Sequence, residues 1–135
     1  MIDSLYIHGY FIVKNFFDKQ QTNYFISQVF ESIKKKEAHL SSSDENEVVH
    51  PKTWNVNSHP IWENTLYSIL GNVEELVDEK LIPIYSYQRT YLKDAEMSHH
   101  TDWPWCQISL TVNIGQSHSY PLFVTDMQTK KSMEI

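Results

Sequence analysis

The sequence predicts an α+β fold, mainly β, with helices in the first half of the chain and strands in the second. Two sets of apolar residues recur at helical spacing: Phe25, Ile26, Val29, Phe30 and Ile33, then Ile61, Thr65, Leu66, Ile69 and Leu70. Two later stretches have a period of two instead. Residues 84–92 place Tyr85, Tyr87, Arg89 and Tyr91 on one face, and residues 106–114 alternate Ile108, Leu110, Val112 and Ile114 with Gln107, Ser109, Thr111 and Asn113.

Residues 6–17 read as the opening strand, because β-branched and aromatic residues crowd around Gly9. His8 lies in it and is expected to be an ordinary strand histidine. Asp18 starts the first helix, with Gln21 three positions on as a capping-box partner. Lys34, Lys35 and Lys36 form its solvated end, where cations suit the helix dipole. Residues 37–52 are a polar loop, and Trp54, Asn55 and Asn57 continue it as a surface connection or the border of a groove. Ser58 is the expected cap of the second helix, with Pro60 in its first turn. Gly71 is expected to end or bend that helix before Val73, Leu76 and Val77 carry the pattern to Lys80. Pro83 stops it. Residues 120–124 begin a last strand, and residues 125–135 are a polar tail.

The totals exclude several classes. A chain of 135 residues is one domain at most, assigned here to residues 1–135. The 17 acidic residues outnumber the 11 basic ones, so no basic stripe for nucleic acid is expected. Arg89 is the sole arginine. The single cysteine, Cys106, rules out an intramolecular disulfide and reads as a small buried hydrophobe. No apolar run approaches the roughly 20 residues of a membrane span, and no secretory leader is visible. The expected compartment is the cytoplasm.

The chemistry concentrates in His100-Thr101-Asp102. On an extended backbone, residues i and i+2 share a face, so the imidazole and the carboxylate can reach one metal ion. Two histidines and a carboxylate with open positions form the ligand set of non-haem iron(II) oxygenases. His99 adjoins His100, but only His100 has the right offset from Asp102.

With Tyr91 before it and Ile108-Ser109-Leu110-Thr111-Val112-Asn113-Ile114-Gly115 after it, the triplet resembles the iron(II)/2-oxoglutarate-dependent oxygenases, in their prolyl-4-hydroxylase-like branch. Gly9-Tyr10-Phe11-Ile12-Val13-Lys14-Asn15-Phe16-Phe17 resembles that branch's first strand. The resemblance runs from Tyr6 to about Val124. It implies a double-stranded β-helix, or jelly roll, with N-terminal helices packed outside it. It also implies iron(II), 2-oxoglutarate and O2, and hydroxylation of a peptidyl or small-molecule substrate. By the same resemblance His100 and Asp102 are metal ligands and catalytic residues. Tyr91 and Thr111 face the cosubstrate, although Tyr91 reads equally well as core packing. Trp103 lies at the mouth of the site and touches substrate or packs there.

The family's third ligand is a later histidine followed by a basic residue. His118 comes too soon after Asp102 for that register, and Lys130 and Lys131 follow without strand context. About four of the eight jelly-roll strands are expected. The chain is therefore expected to be an incomplete domain with exposed strand edges and a tendency to associate, a homo-oligomer being one form of that association. Two other classes fit the residues: a non-catalytic, cupin-like binding module or fragment needing a partner chain, and an interaction protein using its aromatic surface.

Overall fold

The computed structural model describes residues 2–41, 52–126 and 129–134, and its first element is a helix where a strand is expected. Helix α1 spans Ile2–His8. Gly9 follows at φ +77° and donates its N–H to the Leu5 carbonyl at 2.8 Å. A glycine in the left-handed region is a common helix terminator, and Gly9 serves as one here. His8 thus belongs to a last helical turn, and residues 10–17 form no ladder. The β-rich composition of that stretch needs a neighbouring strand to act on.

Helix α2, Lys19–Lys34, begins as expected. The Gln21 N–H donates to Asp18 Oδ1 at 2.7 Å, and the Asp18 N–H donates to Gln21 Oε1 at 2.9 Å. Its buried face differs from the apolar stripe. Phe25 and Ser32 are buried, whereas Phe30 is exposed. Helix α3, Pro60–Val77, is capped by His59 rather than Ser58, through a contact from the Ile61 N–H to Nδ1 at 3.4 Å. It runs straight through Gly71 and stops at Val77, because Asp78 turns left-handed at φ 55°. Trp62, Val73 and Val77 are its buried residues.

Strands β1 (His39–Leu40), β2 (Thr53–Asn57) and β3 (Tyr87–Tyr91) form an antiparallel sheet in that order. Trp54, Asn55 and Asn57 are therefore strand residues, not part of a surface connection. The middle of the predicted loop, residues 42–51, lies outside the described residues. Strands β4 (Phe123–Thr125) and β5 (Ser132–Glu134) form a separate antiparallel pair, so part of the predicted polar tail returns as a strand.

The fold among the described residues is α+β, with small antiparallel sheets and three helices. Residues 106–114 alternate in sequence but join no ladder, and Leu110 and Val112 stay exposed. No helix among the described residues is long and apolar enough to cross a membrane.

The helices meet the three-stranded sheet through one aromatic and polar junction. Phe25 packs edge-on against Trp62 at 5.4 Å between ring centroids. The Trp62 indole N–H donates to Gln88 Oε1 at 2.7 Å, and Gln88 Nε2 donates to Ser32 Oγ at 3.1 Å. Gly115 passes close to α2: a Cβ there would lie 3.1 Å from the Ile26 side chain.

Candidate functional site

Directly opposed residues of an antiparallel pair point to the same side of the sheet. Val56 opposes Gln88, and this side faces the helices. Thr53 opposes Tyr91, Asn55 opposes Arg89, and Asn57 opposes Tyr87 on the other side. The parity read from residues 84–92 thus holds, and the face carrying Tyr87, Arg89 and Tyr91 is turned away from the helices.

The floor of this face is polar and buried. Thr53 and Asn55 are buried. Asn55 Nδ2 donates to Thr53 Oγ1 at 3.0 Å, which leaves Asn55 Oδ1 to accept from Arg89 Nε at 3.3 Å. The Arg89 guanidinium also lies over the Tyr87 ring at 4.9 Å.

The span from Met97 to Cys106 is pinned to this face at both ends. Arg89 Nη1 and the Tyr91 hydroxyl both contact Met97 Sδ, at 3.5 Å and 3.3 Å. Cys106 Sγ lies 3.9 Å from the Tyr85 hydroxyl. Even on a fully extended backbone Arg89 and Tyr85 are at most about 14 Å apart, whereas the nine steps from Met97 to Cys106 can reach about 30 Å. The span is therefore longer than the distance it bridges, and His100 and Asp102 lie within it.

His100 Nε2 and Asp102 Oδ1 are 3.6 Å apart. That is too long for a direct hydrogen bond. His100 Nδ1 lies 2.8 Å from the Ser98 carbonyl oxygen. A carbonyl only accepts, so Nδ1 carries a proton, and whenever the ring is in its neutral form the lone pair is at Nε2. On the far side of the carboxylate, Ser109 Oγ donates to Asp102 Oδ2 at 2.5 Å. In that form two electron-rich atoms face each other, and each side chain is steadied from behind by a hydrogen bond. A shared cation, either a metal ion or a proton on the imidazole, satisfies that arrangement. Metal-binding histidines and carboxylates are commonly braced in this way. The side chains remain 30% and 49% exposed, so an ion can reach them.

The two expected ligands are thus brought together, as two of the three protein ligands that the expected set requires. Among the described residues no group of three or more His, Cys, Asp or Glu converges on one point. His118 is engaged with the Ser117 hydroxyl at 2.9 Å, in the turn after Gly115. Tyr91 is half-buried and stacks on Tyr120 at 4.7 Å. Thr111 is exposed. Trp103 is 62% exposed and lies parallel to Trp105, with centroids 5.0 Å apart and 9° between the planes.

Electrostatics tie these groups to the strand face. Burial pushes the Tyr85 phenol above its ordinary value, and Cys106, Asp102 and Tyr87 add to the shift. Burial likewise raises Tyr120, with Tyr91 and Glu96 adding to it and Arg89 opposing it. For Arg89 burial is the largest influence and disfavours the charge, but Tyr91 and Tyr87 outweigh it and the guanidinium is held above its ordinary value.

Four contributors escape the sequence reading: Asn55, Met97, Ser98 through its carbonyl, and Ser109 as a brace. The period-two run Trp54-Asn55-Val56-Asn57 is a strand signal that could have found the first. Comparisons with protein-family profiles, with curated proteins and with solved structures return no match.

Proposed function

We propose that this chain carries the metal-binding part of an iron(II)/2-oxoglutarate-dependent oxygenase, hydroxylating a peptidyl or small-molecule substrate. The observation that supports the reading best is the facing pair His100 Nε2 and Asp102 Oδ1, 3.6 Å apart, with the histidine tautomer set by the Ser98 carbonyl. In this reading His100 and Asp102 hold iron(II), which supplies the chemistry that activates O2 while 2-oxoglutarate is consumed. Ser109 keeps the carboxylate turned toward the metal. The helices and small sheets belong to a jelly roll, and Tyr91 and Thr111 belong to its cosubstrate side.

The exposed Trp103–Trp105 stack favours a second reading, a jelly-roll binding module that holds a ligand without turnover. Anaerobic iron(II) titration, with and without 2-oxoglutarate, tests the first reading through the visible charge-transfer band of the chelate. The band is expected in this chain and absent in Asp102→Ala. Equal iron binding by both proteins overturns the metal assignment. Iron binding without succinate formation on admitting O2 selects the binding module.

A further inference from the structure

Helices α2 and α3 border a cavity of about 490 Å³, within the size range of small-molecule sites. Its walls are aromatic. Phe16 meets Phe17 edge-on, and Phe17 meets Phe25 edge-on, with centroids 5.0 Å apart in both cases. Ile69 of α3 adds an aliphatic wall, and the exposed Gln21 and Asn72 make the rim polar. A second cavity of about 320 Å³ adjoins the first at Phe16 and Asn72, and Glu75 lines it. Glu75 is exposed, and no cation among the described residues lies within ion-pair distance of it. It stands in the last turn of α3, which holds no basic residue. Lys80 pairs with the neighbouring Glu74, so Glu75 is left uncompensated at the negative end of the helix dipole.

We infer that the two adjoining cavities bind a small free arylalkylamine, an aromatic ring that carries an ammonium group on a short chain. The ring enters the first cavity, where the phenylalanine rings offer edges and faces for aromatic contact. The ammonium reaches the Glu75 carboxylate. Asn72 and Glu75 are about 4.5 Å apart along the helix axis, a gap that a two-carbon linker crosses from a ring seated beside Asn72. Removing the ring from water supplies most of the affinity. Charge decides the class, because the uncompensated carboxylate attracts an aryl amine and repels an aryl acid. These cavities share no residue with the face of β3 that bears Arg89, nor with His100 and Asp102. The inference therefore does not depend on a metal.

The test is calorimetric titration of the chain with phenethylamine, set against phenylpropionate, phenylethanol and hexylamine, with saturation-transfer NMR to detect weak binding. Phenethylamine is expected to bind with a Kd of about 1–10 mM. Phenylpropionate should bind about tenfold more weakly, since attraction to the carboxylate becomes repulsion. Hexylamine keeps the charge without the ring and should also bind more weakly. Glu75→Gln should weaken phenethylamine binding by about two- to fivefold and remove its advantage over phenylethanol. Added salt should shrink the same advantage. Asn72→Trp places a large side chain at the junction of the cavities and should abolish binding, with thermal unfolding as the check on the fold. Should that variant fail to fold, Glu75→Gln alters only an exposed side chain and still decides the question. Asp102→Ala should bind phenethylamine as the unaltered chain does. No phenethylamine binding, equal binding of phenylpropionate or hexylamine, or an unchanged Kd in Glu75→Gln overturns the proposal.

Discussion

The indole N–H of Trp62 points at the side-chain carbonyl of Gln88, 2.7 Å away, and Gln88 passes the connection on to Ser32 in α2. All three residues are buried. One amide thus joins both long helices to β3, using its acceptor for one and a donor for the other.

Replacing Gln88 with Leu should cost about 2–4 kcal/mol, because the Trp62 N–H and the Ser32 hydroxyl both lose a buried partner. Urea denaturation followed by tryptophan fluorescence measures it. A loss below about 0.5 kcal/mol would mean that water or relaxation replaces both bonds.

Ser109 braces Asp102 from outside the facing pair, and it lies on an exposed stretch. Ser109→Ala should therefore lower metal affinity by about tenfold while leaving the unfolding midpoint unchanged. Competition with a coloured chelator reads the first quantity, and thermal unfolding reads the second. Unchanged metal affinity would make the serine a bystander.

Glu74 sets a local pH response. The Lys80 ammonium donates to Glu74 Oε2 at 2.7 Å and the Leu81 N–H donates to Oε1 at 3.0 Å. The Lys80 bond first, and then the Leu81 bond, holds the carboxyl below its ordinary value against a smaller opposing effect of burial. A lowered folded value means that the contribution is present above the ordinary carboxylate range, about pH 4, and is lost as pH falls through the folded value. The Leu81 amide should therefore exchange faster with solvent at acid pH than at neutral pH, beyond the intrinsic pH dependence of exchange. Glu74→Ala should show the fast behaviour at both. Hydrogen exchange followed by NMR checks it. Salt should weaken the Lys80 part, since that ammonium is exposed.

The start of α2 and the parity of β3 were legible because their signals are short in sequence. The Asp18–Gln21 box closes within four residues, and Tyr87, Arg89 and Tyr91 share a face on any extended backbone. The spacing of His100 and Asp102 likewise placed two donors within reach of one another. The opening strand was misread because the composition around Gly9 states a preference for packing against neighbours, and no neighbour strand is supplied there. The same holds for residues 106–114, whose alternation is real but unpaired.

By itself the sequence determined the α+β class, the position of α2, the side of β3 that bears Arg89, and the offset of His100 from Asp102. Each depends on dihedral periodicity or on hydrogen bonds between near neighbours in the chain. Only the tertiary structure decided that Asn55 lies under Arg89, that Met97 and Cys106 pin the span carrying His100 and Asp102, and that Gln88 joins Trp62 to Ser32. Those pairings join residues up to 56 positions apart. They depend on which strand finds which partner, and that is settled by packing across the whole chain rather than by local preference.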